Sequence, residues 1–189
     1  MGLFGFKSKE EKSQEELNRQ VAEANEFAKK LDKEKNLSAI KTQLLLKLGE
    51  EAFIEAESTL YESRATSYYQ GSSSGGGFRV MKGVYVGGSS RSGKSESKQE
   101  LKTIDKGSLV MTNKRLVFSG LHESRNILLD KILSFEPKID SILVTAENKA
   151  KKMYFTVPNG IIWFYTLQVL KQAPNPHKLG DVHLTVKID

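Results

Sequence analysis

The sequence predicts an α+β protein in which an N-terminal α-helical hairpin or coiled coil precedes a seven-stranded antiparallel β-barrel capped by a C-terminal helix. Apolar residues follow a helical period up to residue 70 and a period of two beyond it. A Gly/Ser stretch at residues 71–77 separates these two halves. The strand-like runs follow one another without long helical segments, which favours antiparallel pairing because parallel neighbours need long crossovers.

The length and composition indicate a single folded core. The chain has 189 residues, of which 38% are apolar and only four are proline, so it can bury a compact interior. The absence of cysteine excludes disulfide scaffolds, thiolate zinc sites and thiol nucleophiles, and the three histidines lack metal-binding spacing. We therefore expect no metal site and no thiol chemistry, and we predict no cofactor.

Residues 1–70 have the composition of helices, with no proline and one interior glycine, Gly49. A thin apolar stripe follows spacings of three and four: Leu17, Val21, Ala24, Ala28 and Leu31. Ser38 can cap a second helix with a broader apolar face, made of Ile40, Leu44, Leu45, Leu48, Ala52 and Leu60. Two helices make a poor core, so we expect them to pack on each other, on the second half, or on another copy in a homo-oligomer.

We place the domain boundary at the 71–77 linker and a β-barrel with its helix at residues 78–172. The candidate strands are Phe78 to Val86, Ser108 to Thr112, Arg115 to Ser119, Asn126 to Leu129, Ile132 to Glu136, Ser141 to Thr145 and Lys152 to Val157. The apolar segment Ile161 to Leu170 predicts a helix that plugs one end of the barrel. In the tail, 173–189, the alternation from Asp181 to Ile188 predicts an additional edge strand.

Charge differs between the two halves. Residues 1–70 hold 11 Lys and Arg against 13 Asp and Glu, whereas residues 71–189 hold 18 against 10. The basic second half favours an anionic partner. Nucleic acid is disfavoured as that partner, because the aromatic residues occupy core-like positions instead of alternating with basic ones. These aromatic residues are Phe118, Phe135, Tyr154, Phe155 and Trp163.

The segment Gly88 to Ser95 matches the phosphate-binding loop pattern GxxxxGK[ST]. A P-loop nucleotide-binding protein is therefore the alternative interpretation. Such a protein needs parallel strands that alternate with crossover helices. The residues that follow Ser95 predict short strands and turns instead, which favours an exposed hairpin loop.

The segment GSLVMTNKRLVFSG, residues 107–120, with NILLDKI at residues 126–132, resembles the GRAM and bacterial pleckstrin-homology-like domains. The resemblance covers residues 78–172 and implies a strongly bent, seven-stranded antiparallel barrel with one terminal helix. It also implies a non-catalytic module that binds lipid headgroups or protein partners. The motif consists mostly of structural residues, which identify a fold and say little about a ligand.

The resemblance also implies which basic residues would hold an anionic headgroup. By position in the family's motif, these are Lys82, Arg91, Lys94, Lys98, Lys114 and Arg115. The six residues before Lys7 are too few for an export signal, and the longest apolar runs fall short of the roughly 18–20 residues that span a bilayer. We therefore expect a cytoplasmic, peripherally membrane-associated protein whose partner is an anionic lipid or another protein.

Overall fold

The computed structural model describes residues 9–68, 78–81, 84–86, 96–147, 151–173, 175–180 and 184. The helices are α1 (Lys9–Glu34) and α2 (Gly160–Gln172), with one turn of 3-10 helix at Leu129–Lys131. The strands are β1 (Ala52–Tyr68), β2 (Phe78–Met81), β3 (Val84–Val86), β4 (Glu96–Thr112), β5 (Arg115–Gly120), β6 (Ser124–Leu128), β7 (Ile132–Pro137), β8 (Ser141–Ala146) and β9 (Met153–Thr156).

Seven of these strands form one curled sheet in the order β6-β5-β4-β1-β9-β8-β7, and all pairs between the described strands are antiparallel. Strands β2 and β3 pair only with each other among the described strands. The α+β class and the seven-stranded antiparallel sheet predicted from the sequence are confirmed. The membership of the sheet differs, because β2 and β3 lie outside it and β1 takes the seventh place.

The predicted second helix is wrong, because residues 52–68 form the central strand β1. This strand pairs with β4 on one side, from Ala52↔Thr112 to Tyr68↔Glu96, and with β9 on the other, at Leu60↔Phe155. Its Ala and Glu residues have high helix propensity, but a strand with partners on both sides gains two ladders of hydrogen bonds and a buried face. Tertiary pairing therefore overrides the local preference.

Residues 35–51, here called the α1–β1 loop, connect α1 to the sheet. Helix α1 ends at Glu34, and the next residue, Lys35, has a left-handed φ of 49° and donates its N–H to Leu31 O at 2.8 Å. The Leu37 N–H then donates to Pro176 O, and Ile40 forms an isolated bridge with Ala52. These bonds hold the segment beside the start of β1, and no helix forms in it.

The apolar stripe of α1 packs on α2 within the same chain. Ala24 is buried with Ile161 and Tyr165, and Leu31 is buried with Val169. Packing on the second half of the chain, one of the three predicted surfaces, is confirmed. Association between copies through these helices stays a prediction.

Helix α2 lies over the core of the sheet, close to the predicted bounds. Trp163 is 1% exposed and Leu167 is buried, in one cluster with Leu60, Phe118 and Phe155. The aromatic residues predicted to be core, Tyr154 excepted, are buried in this way. Tyr154 is half-buried, and burial raises the pKa of its hydroxyl.

The predicted linker, 71–77, lies outside the described residues, as does nearly all of the predicted edge strand at 181–188. Strands β1 and β4, on either side of the linker, pair with each other, so both halves of the chain contribute to one sheet. Within the described ranges, neither helix has the length and apolar character needed to cross a bilayer.

Candidate functional site

Among the predicted basic residues that the structure describes, Lys98 lies far from Lys114 and Arg115. Lys82, Arg91 and Lys94 lie outside the described residues. Lys98 lies near the start of β4, where its backbone pairs with Thr66, whereas residues 114–115 follow the far end of the same strand. At about 3.3 Å per residue, this amounts to roughly 45 Å along the strand. Lys98 therefore does not join Lys114 and Arg115 in one site.

Arg115 is buried, with 8% of its surface exposed, although the resemblance assigns it to a headgroup site. Its Nε donates to Glu50 Oε1 at 2.7 Å, and its Nη2 donates to Glu50 Oε2 at 3.0 Å and to Leu45 O at 3.2 Å. Two parallel bonds of this kind are the strong geometry for an arginine–carboxylate pair. The guanidinium therefore holds the α1–β1 loop and does not face a ligand at the surface.

Glu50 receives two further hydrogen bonds, from Thr112 Oγ1 at 2.8 Å and from Lys47 N at 2.8 Å. Burial by itself would raise the pKa of Glu50. The hydrogen bonds from Arg115, Lys47 and Thr112 and the positive charge of Arg115 outweigh burial and lower this pKa to about 2. The carboxylate is therefore ionised at neutral pH and is part of the fold.

Asn113, in the turn between β4 and β5, bonds to the end of the α1–β1 loop. Its backbone N–H donates to Glu51 O at 3.0 Å, and its Oδ1 accepts from Glu51 N at 3.1 Å. Its Nδ2 donates to Gly49 O at 3.1 Å. Gly49 has a φ of 66°, in the left-handed region that favours glycine. The Thr-Asn-Lys turn predicted from the sequence therefore binds the backbone of a loop that lies more than 60 positions earlier in the chain.

Lys114 is exposed and its Nζ donates to Leu48 O at 2.7 Å, which places it against the α1–β1 loop. Lys41 and Lys47 of that loop are also exposed. Lys41 follows Ile40, which forms a bridge with Ala52. Ala52 in turn pairs with Thr112, the last residue of β4, so Lys41 lies at this end of the sheet. No carboxylate of the described residues lies within ion-pair distance of these three ammonium groups. We call Lys41, Lys47 and Lys114 the lysine cluster.

The sequence interpretation missed two members of this cluster. Lys41 and Lys47 lie in the segment that was predicted to form a second helix, and that helix does not form. A signal was available, because lysines stand on both sides of the leucine run at residues 44–46. Only the position of the loop beside Lys114 shows that all three lysines lie at one end of the sheet.

The phosphate-loop match at residues 88–95 lies outside the described residues. The residues directly after it begin strand β4 at Glu96, and all pairs between the described strands are antiparallel. A phosphate loop delivers its ligand to the N terminus of a helix. The described structure has a strand at that position, which counts against nucleotide binding.

Comparison of this chain with protein-family models, with curated proteins and with solved structures finds no match. The resemblance to GRAM and pleckstrin-homology-like domains therefore depends on the motif at residues 107–120 and 126–132. Among the described residues, the lysine cluster is the feature on which a proposal about function can be based.

Proposed function

We propose that this protein is a non-catalytic binding module, similar to GRAM and pleckstrin-homology-like domains, that docks on an anionic membrane surface. Two features of the fold support the proposal. The sheet is antiparallel throughout its described strands, and the helix after the last strand packs on its core. The membrane would be the cytoplasmic leaflet, whose anionic lipids attract basic protein surfaces.

The lysine cluster is the observation that carries the proposal. Lys41 and Lys47 project from a loop that Lys114 contacts through its ammonium group. A lysine near an anionic leaflet contributes about 1 kcal/mol, and this attraction decays over a Debye length of about 10 Å at ordinary salt. Three lysines at one end of the molecule therefore support weak, salt-sensitive docking.

Co-sedimentation with vesicles tests this function. The full-length protein is expected to sediment with vesicles of phosphatidylcholine and phosphatidylserine, and to be released as the salt concentration rises. It is expected to stay in solution with pure phosphatidylcholine. The double variant Lys41→Gln/Lys47→Gln should bind the anionic vesicles on the order of 30-fold more weakly, since it loses two of the three charges.

The matched control is Lys29→Gln/Lys30→Gln, which removes the same charge from two exposed positions on α1. This variant is expected to bind within about twofold of the unmodified protein, because these two lysines are on α1 and not on the proposed contact surface, so salt screens their attraction to the lipid more strongly. Equal recovery with neutral and anionic vesicles, or equal loss in the two double variants, would overturn the proposal.

A further inference from the structure

The α1–β1 loop exposes large apolar side chains beside the lysine cluster. Leu45 is 89% exposed and Leu48 is 99% exposed, and Ile40 and Leu46 are exposed to a smaller degree. Scattered surface leucines need no explanation, but four exposed large aliphatic residues within nine positions of one loop are a concentration of apolar surface. Such a concentration is typical of an interaction surface.

Hydrogen bonds hold this loop so that its leucines stay outside. Arg115 Nη2 bonds to Leu45 O, and Lys114 Nζ bonds to Leu48 O at 2.7 Å. Lys47 N bonds to the Glu50 carboxylate at 2.8 Å. The carbonyl groups of Leu45 and Leu48 are thus bonded to the first residue of β5 and the residue before it, while the side chains of these two leucines are exposed. Their exposure is a consequence of ordered contacts.

Lysines alternate with the apolar residues of this surface. Lys41 follows Ile40, and Lys47 stands between Leu46 and Leu48 in the sequence. The half-exposed Leu128, at the end of β6, lies close to Lys114, because it pairs with the next residue, Arg115. Apolar side chains mixed with lysines are the pattern of segments that lie in a membrane interface.

We propose that residues 40–48, the leucine loop, insert Leu45 and Leu48 into the boundary between headgroups and acyl chains of an anionic bilayer. Lys41, Lys47 and Lys114 then contact the lipid phosphates. This inference rests on the proposed function and names the inserted surface and its occupant.

The lysines favour a bilayer over a protein as the occupant. The buried centre of a protein interface is depleted in lysine, and a lysine between two buried leucines would need a desolvated counterion there. At a membrane, the same side chain extends its flexible stem along the apolar region and keeps its ammonium group among the headgroups. The lysine between Leu46 and Leu48 is therefore compatible with insertion.

A fluorophore placed on the leucine loop tests insertion directly. The chain has no cysteine, so Leu48→Cys provides a single attachment site in the full-length protein for an environment-sensitive dye. Vesicles of phosphatidylcholine and phosphatidylserine with brominated acyl chains are expected to shift the emission to the blue and to quench it. Leu121→Cys is the matched control, since Leu121 is 85% exposed in the turn at the other end of β5. Its label is expected to show neither change.

The corresponding serine variants test the contribution to affinity. Leu48→Ser is expected to weaken binding to the same vesicles about tenfold or more, since it removes an inserted leucine side chain. Leu121→Ser is expected to bind within about twofold of the unmodified protein, because a position outside the contact contributes little.

The outcomes separate this inference from the proposed function. Sedimentation with anionic vesicles without quenching at position 48 would overturn insertion and leave membrane docking in place. If the unmodified protein did not sediment with anionic vesicles, both membrane docking and insertion would be overturned. A blue shift at position 48 that grows with protein concentration in the absence of vesicles would assign the leucine loop to contacts between copies of the chain, and would overturn insertion into lipid.

Discussion

Arg115 binds both carboxylate oxygens of Glu50, from Nε at 2.7 Å and from Nη2 at 3.0 Å, although the two residues are 65 positions apart in the chain. Both residues are buried. The pair connects the first residue of β5 to the end of the α1–β1 loop, and the same guanidinium also bonds to Leu45 O. The position of the leucine loop therefore depends on this ion pair.

Breaking the pair from one side leaves a buried charge without its counterion. Glu50→Leu and Arg115→Met are each expected to lower the free energy of unfolding by about 3–5 kcal/mol. The double variant removes both charges, so its loss should be smaller than the sum of the two single losses. Urea unfolding of the four proteins measures this coupling.

The control for the pair is Lys131→Met. Lys131 forms an ion pair with Glu147 at 2.9 Å in which both side chains are about half exposed. Exposed pairs of this kind contribute about 0–1 kcal/mol, so its loss should be slight. Single-variant losses that simply add in the Glu50/Arg115 double variant would contradict the structural role of the pair.

Glu50 also makes stability depend on pH. Its pKa is about 2 in the folded protein against an ordinary value of 4.5, so the folded state binds the proton less readily. The stabilisation is therefore complete above about pH 4.5 and is lost as the pH falls from about 4.5 to about 2. Over this pH window the free energy of unfolding should fall by on the order of 3 kcal/mol more in the unmodified protein than in Glu50→Gln. Urea unfolding at a series of pH values measures the difference, and parallel curves would contradict it.

Gly160, at the start of α2, is in close contact with the turn between β7 and β8. A Cβ added there would lie 2.6 Å from Ser141 O and also against Lys138 O, and neither backbone atom can move freely. Gly160→Ala is expected to lower the free energy of unfolding by about 1–3 kcal/mol, although alanine favours helix. At Gly180 no atom of the described residues lies within 4 Å of an added Cβ, so Gly180→Ala should change stability by less than about 0.5 kcal/mol. Equal effects in thermal unfolding would show that this contact is not tight.

Asn159 caps α2 and also joins it to α1. Its Oδ1 accepts hydrogen bonds from Ile161 N at 3.1 Å and Ile162 N at 3.3 Å, and its Nδ2 donates to Gln20 O at 3.0 Å. Asn159→Ala is expected to cost about 1–2 kcal/mol through loss of the cap.

Asn159→Asp separates these two roles. Aspartate is a good cap but has no donor for Gln20 O, and it brings a second carboxylate towards Glu23, whose Oε2 now accepts from Asn159 Nδ2 at 3.1 Å. We expect it to destabilise the protein by a similar amount, visible as a Tm lower by about 2–4 °C per kcal/mol. A Tm unchanged in the aspartate variant would mean that only the cap matters.

Local patterns predicted most of the sheet. Strands β5 to β9 and helix α2 lie within a few residues of their predicted bounds, because their period-two alternation and turn residues act over short distances. Strand β4 was predicted only from Ser108, since its first half, ESKQELKT, has little apolar content. This first half of β4 pairs with β1. Pairing between segments that are distant in the chain produces little recognisable pattern in the sequence of either segment.

The candidate site was only partly predictable. Lys114 was identified from the family motif, but the pattern could not distinguish an exposed arginine from a buried one, so Arg115 was assigned to a ligand. Its counterion, Glu50, lies in a segment that was expected to be helical. The burial of a charged side chain depends on the partner that meets it, and that partner comes from elsewhere in the chain.

By itself, the sequence determined the period-two hairpins from Ser108 onward and the helix that covers their core, because those elements depend on near neighbours. The tertiary structure alone decided that residues 52–68 are a strand. The hydrogen bonds from β4 and β9 on both sides, together with a buried face, outweigh the helix propensity of Ala and Glu. It also decided that Leu45 and Leu48 face solvent, because Arg115, Asn113 and Lys114 hold the backbone of their loop against the sheet.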